Sequence, residues 1–70
     1  MTDSIYRVTE VIGTSTQSWE EAAKNAVETA AKTLRDLRVG EVEKFDMTIE
    51  DGHVSLYRAK VSISFKYESD

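Results

Sequence analysis

The spacing of apolar residues changes several times along the chain, and each change marks an element. Over residues 5–12 the β-branched side chains Ile5, Val8, Thr9, Val11 and Ile12 crowd together, with Tyr6, Arg7 and Glu10 among them. Such a run predicts a strand with both faces partly covered. Gly13-Thr14-Ser15 interrupts it, Gly13 supplying backbone freedom that other residues lack.

A helical period follows. Trp19, Ala22, Ala23, Ala26, Val27, Ala30, Leu34 and Leu37 recur at steps of three and four, which places them on one stripe. Ser18, three residues before Glu21, forms the pattern of a capping box, in which hydroxyl and carboxylate satisfy the first backbone donors. Glu20 and Glu21 lie at the positive end of the helix dipole, and Lys32, Arg35 and Arg38 towards its negative end. Gly40 is the expected stop. Much of the stripe is alanine, which lets a helix lie close to a sheet while each residue contributes little buried area.

Residues 41–50 predict a strand whose apolar positions change phase, Val42 on one face and Phe45, Met47 and Ile49 on the other. A bulge would produce that shift. Asp51-Gly52 is a strong hairpin signal, because both central positions of a type I′ turn need positive φ. The last strand alternates cleanly. Tyr57, Ala59, Val61, Ile63, Phe65 and Tyr67 face one way, and Arg58, Lys60, Ser62, Ser64 and Lys66 the other. Val54 and Leu56 lie on the opposite parity, so a second change of phase falls near its start.

The pattern therefore predicts an α+β fold, one domain over residues 1–70, of order β-α-β-β, with a three-stranded antiparallel sheet wrapped around one helix. A last strand of roughly fourteen residues is long for so small a domain. Part of it is expected to pair or pack against another subunit.

Size points the same way. A chain of 70 residues buries only about 60% of its unfolded surface, so its core is marginal. Disulfides and thiolate metal sites are excluded because there is no cysteine, and His53, the single histidine, cannot build a zinc site alone. Self-association is the remaining route to stability. Nine basic and 13 acidic side chains give a net charge of −4, which argues against nucleic acid and against an anionic membrane surface. No apolar run approaches the ~20 residues that span a bilayer, and residues 1–4 show no signal-peptide pattern. A cytoplasmic protein is the expectation.

Candidate chemistry is sparse. His53 follows the hairpin glycine and reads as a solvated turn residue. Gly13-Thr14-Ser15 lacks the flanking glycine of a nucleophile elbow. Glu41, Glu43, Asp46, Glu50 and Asp51 gather in the middle strand and its turn, and hard cations prefer oxygen ligands, yet the spacing matches no EF-hand loop. Trp19 could stack a ligand, but its place at the head of the apolar stripe favours packing. No nucleophile stands beside a base, so the chain reads as a binding protein and not as an enzyme.

The stretches Tyr6-Arg7-Val8, Val11-Ile12-Gly13-Thr14-Ser15, Ser18-Trp19-Glu20-Glu21-Ala22-Ala23, Thr33-Leu34-Arg35-Asp36-Leu37, Glu41-Val42 and Tyr57 to Phe65 together resemble the dodecin family over nearly the whole chain. The resemblance implies a hollow homododecamer that binds flavins, riboflavin or FMN, in pairs at two-fold interfaces and stores them. It also implies three ligand-facing positions. Val39 stands where flavin-binding members carry a stacking tryptophan. Arg58 stands where a polar residue, typically glutamine, hydrogen-bonds the ring. Asp46 stands where some bacterial members have arginine.

Stacking on a flat heterocycle is worth roughly 1–3 kcal/mol, so valine at position 39 implies flavin binding weakened about 10- to 100-fold. A guanidinium plane at Arg58 can supply part of what is lost. The pattern Leu37-Arg38-Val39 with Asp46-Met47 and Tyr57-Arg58 also resembles a tryptophan-less branch of the family that binds calcium, through ligands the sequence does not identify. A purely structural shell with a vestigial pocket is the third reading.

Overall fold

In the computed structural model, residues 5–66 are described, and the expected position of Tyr67 lies outside them. Four elements follow in the order β1 (Tyr6–Ser15), α1 (Trp19–Ala30), β2 (Leu37–Glu50) and β3 (His53–Lys66). The sheet is antiparallel with strand order β1-β3-β2, so the last strand lies in the centre. The β-α-β-β reading holds.

The core is small and is built where α1 crosses β1 and β3. Ala22, Ala26 and Ala30 of the helix meet Ala59, Val61 and Ile63 of β3, with Val11, Ala23, Val27, Leu34 and Leu37 packed around them. The alternation read in the last strand is thus the observed one: odd positions 59, 61 and 63 face the helix.

Gly13 does not break β1, which continues to Ser15. Its lack of a side chain serves packing, since a Cβ there would overlap the Ala22 carbonyl oxygen and lie 2.8 Å from the Ala26 Cβ. Freedom of φ is not its role. Gly40 likewise does not stop the helix; it lies within β2 beneath Val27.

The helix is shorter than its stripe. It ends at Ala30, where the Ala30 carbonyl accepts from both the Thr33 and Leu34 amides at 3.1 and 2.9 Å, tightening the last turn. Asp36, at φ 57°, then reverses the chain. Aspartate tolerates this left-handed conformation better than most residues. Leu34 and Leu37 pack on the core from the turn and from β2, which is why the apolar spacing runs on past the helix. Lys32, Arg35 and Arg38 consequently lie beyond α1, whose last turn carries no basic residue.

At the other end Ser18 caps the helix, its Oγ accepting from the Glu21 amide at 3.0 Å. The reciprocal half of the box runs through Ser15. The buried Ser15 hydroxyl donates to Glu21 Oε1 at 2.7 Å and accepts from the amides of Gln17 (2.8 Å) and Ser18 (3.4 Å).

Both expected changes of phase are register shifts. One, between Val42 and Lys44, leaves Glu43 unpaired; another, between Thr48 and Ile49, sets Thr48 opposite Leu56 and Ile49 opposite Val54. Asp51 (φ 51°) and Gly52 (φ 76°) form the turn with the positive φ values expected of it. The length of β3 is used largely within the chain: β1 pairs with its residues 57–66, and β2 runs beside it from Glu50↔His53 to Leu37↔Phe65. Only residues 53–56 lack a neighbour on the β1 side, so the β2–β3 hairpin projects as a two-stranded arm.

Candidate functional site: the outer face of the sheet

Residues directly opposite one another in a sheet share a face. The helix takes the odd positions of β3, so Arg58, Lys60, Ser62 and Ser64 form a row on the outer face. Their partners extend it. Thr14, Ile12, Glu10 and Val8 of β1 lie on one side, and Asp46, Lys44, Glu41 and Val39 of β2 on the other. All three sequence-predicted positions, Val39, Asp46 and Arg58, therefore belong to this face.

Two of them are joined. Asp46 and Arg58 are cross-strand partners whose side chains form a two-pronged ion pair, with Arg58 Nε to Asp46 Oδ1 at 2.7 Å and Arg58 Nη2 to Asp46 Oδ2 at 3.0 Å. Two parallel charge-assisted bonds fix the plane of the guanidinium as well as its position. The Arg58 hydrogen bond holds the Asp46 carboxyl below its ordinary pKa; desolvation opposes it, and the charges of Arg58 and Lys44 add lesser lowering effects. The same hydrogen bond raises the pKa of Arg58.

Val39 stands apart. It lies in β2, not just after a helix, opposite Ser64, and is 61% exposed. Ser64 lies six residue steps along β3 from Arg58, about 20 Å at 3.3–3.4 Å per residue. Within one chain the three positions therefore do not form one pocket.

The acidic cluster read from the middle strand is also dispersed. Asp46 is engaged by Arg58, Glu43 accepts from Ser62 Oγ at 2.7 Å, and Glu50 and Asp51 lie at the hairpin end. Among the described residues no three carboxylate or histidine groups gather to hold a metal ion. Glu10 and Lys60 form a looser ion pair at 3.5 Å, while Lys44 lies opposite Lys60. No described helix is long and apolar enough to cross a membrane.

Sequence reasoning missed one link through the sheet. Trp19 packs on Tyr57 (ring centroids 5.0 Å, edge-on) and on Phe45 (5.8 Å), as its place in the stripe predicts. Its indole N–H also donates to the Asp46 carbonyl oxygen at 2.8 Å. No local spacing signals a bond between the first helical residue and a strand that begins after the helix has ended.

The comparisons with known proteins agree with this architecture. A family model described as Dodecin matches residues 5–68. The chain belongs to the dodecin family. The calcium dodecin of Mycobacterium tuberculosis is 43% identical over 63 residues, covering 90% of this chain and 89% of that protein. The dodecin of Thermus thermophilus is 34% identical over 64 residues, covering 91% and 93%. Among solved structures, the dodecin of Streptomyces coelicolor superposes with a TM-score of 0.91 at 40% identity, covering both chains completely. The dodecin fold is thus shared over essentially the whole described chain, including the outer face that carries Val39, Asp46 and Arg58.

Proposed function

We propose that the chain is a subunit of a hollow homododecamer that binds and stores a flavin, riboflavin or FMN, at interfaces where two copies meet about a two-fold axis. It acts as a binding assembly and not as an enzyme. The observation that carries this reading is the separation of Val39 from the Asp46–Arg58 pair, about 20 Å along one face. That span is longer than a three-ring isoalloxazine. A two-fold contact is isologous, so the patch of one copy meets the same patch of the other with its direction reversed. Val39 of one subunit is thereby brought towards Arg58 of its neighbour, and the divided site becomes one.

Packing supports association. The helix covers β1 and β3 and leaves Val42, Phe45 and Met47 of β2 exposed on the helix side of the sheet, Phe45 to 50%. An isolated two-stranded arm such as the β2–β3 hairpin is marginal in water without a surface to lie against. At the site itself, Arg58 is oriented by Asp46, leaving the guanidinium face and Nη1 for a planar ring, and Val39 offers apolar contact without stacking.

Calcium is the second reading, favoured by the 43% identity to a calcium dodecin, a close match over 90% of this chain. A solved structure of that relative is described as having a novel calcium-binding site. Because no described chain segment gathers three carboxylates, calcium here would take ligands from more than one copy.

Fluorescence titration of riboflavin and FMN with ligand-stripped protein tests the first reading. Saturable quenching at micromolar protein or below supports it. Absence of quenching up to high micromolar protein rejects it, and calorimetric titration with calcium then tests the second.

A further inference from the structure

The Asp46–Arg58 pair rests on a stretch of β2 that is isolated from the rest of its strand. Register shifts bound it on both sides, between Val42 and Lys44 and between Thr48 and Ile49. Bulges bend and twist a strand locally. The helix touches β2 least of the three strands, so this stretch is held chiefly by its pairing with β3.

Trp19 acts on it from behind. Its ring packs against Phe45 and Tyr57, the residues immediately before Asp46 and Arg58. Alternation puts Phe45 and Tyr57 on the helix side and Asp46 and Arg58 on the outer face. The indole N–H bond to the Asp46 carbonyl is the one hydrogen bond from α1 to β2 among the described residues. Trp19 is itself fixed as the first residue of α1, next to the Ser18 cap and the Ser15–Glu21 bond.

We propose that Trp19 is a positioning residue for the outer face: from the helix side it fixes the backbone that presents Asp46, and through Asp46 it sets the plane of the Arg58 guanidinium. The opposed register shifts leave this stretch tied to the sheet through its own pairing with residues 56–60 of β3; the indole bond and the two ring contacts add a hold from the helix side. A ligand that meets the plane of Arg58 then finds that plane already oriented, and less ordering is required on binding. The part of the proposal that concerns ligand rests on the flavin reading above; the part that concerns the ion pair does not.

Trp19→Phe keeps an aromatic ring and removes only the N–H. Two measurements decide. In a crystal structure of the Trp19→Phe protein without ligand, the Asp46–Arg58 fork is expected to open or split between conformers; an unchanged two-pronged pair overturns the proposal. In a double-mutant cycle on FMN affinity, Trp19→Phe is expected to weaken binding about fivefold in the native background and less than about twofold when Asp46→Asn is already present. Equal losses in both backgrounds would show a general structural role and overturn it. If the native protein binds no flavin, the flavin reading fails, and the crystal structure still decides whether Trp19 holds the pair.

Discussion

Gly13 and Ala22 approach so closely that strand and helix leave no room for a methyl group between them: a Cβ at Gly13 would overlap the Ala22 carbonyl oxygen and press on the Ala26 Cβ. The alanine stripe and the glycine form one close-packed seam, and both are needed for Ala22, Ala26 and Ala30 to reach β3. Gly13→Ala is therefore expected to cost about 3 kcal/mol, the upper end for overpacking, because backbone must yield. Urea unfolding at fixed protein concentration measures this; a loss under about 1 kcal/mol would mean that the helix can move outwards freely.

The N-terminus of α1 offers a smaller, separable effect. Ser18→Ala removes the acceptor for the Glu21 amide and is expected to cost about 1 kcal/mol. Ser15→Ala should cost more, since its hydroxyl is buried and serves Glu21, Gln17 and Ser18 together. Parallel thermal scans of the two variants check the ranking, and the reverse order would assign the cap to Ser18 alone.

The ion pair has a defined pH signature. Asp46 titrates below the ordinary value of 3.8 because Arg58 hydrogen-bonds its charged form. A carboxyl whose folded pKa is depressed adds stability that is present above the unfolded value and is lost as pH falls through the folded one. The stability difference between the native protein and Asp46→Asn should thus be constant from pH 7 to about 5 and close below about 3.8. Both charges are solvent-exposed, so the difference should also shrink in high salt. A gap that persists at pH 2 would show that Asp46 acts through something other than its charge.

Val39 is the position at which ligand affinity should be most easily raised. Its side chain is exposed on the outer face, so a larger one meets no core. Val39→Trp is expected to tighten flavin binding by about tenfold or more. Fluorescence titration measures it, and an unchanged affinity would mean that residue 39 does not face the ligand.

Much of this architecture is legible in the sequence because its signals are local. The cap at Ser18, the Asp51-Gly52 turn, the parity of β3 and both phase changes depend on neighbouring residues, and each appears in the structure where the pattern predicts it. What local pattern misplaced were features set by distant partners. Leu34 and Leu37 extend the helical spacing although the helix has ended, because apolar residues in a turn and in a strand can meet the same core. Gly13 and Gly40 read as punctuation, yet their neighbours are helix atoms far along the chain. For the outer face, residue identities allow Val39, Asp46 and Arg58 to be proposed, but only the register reveals that two of them touch while the third lies far away.

The strand order has a consequence for how the molecule comes into being. β3 follows β2 along the chain yet lies in the middle of the sheet, so β1 has no partner in its own chain until β3 has been made. The helix and the β2–β3 hairpin can close through nearby residues, whereas pairing Tyr6 with Lys66 closes a loop of nearly the whole chain. Until then the apolar edge of β1 is available to any other nascent copy. Assembly and misassembly thus compete over the same strand, in an interval that ends only when β3 arrives.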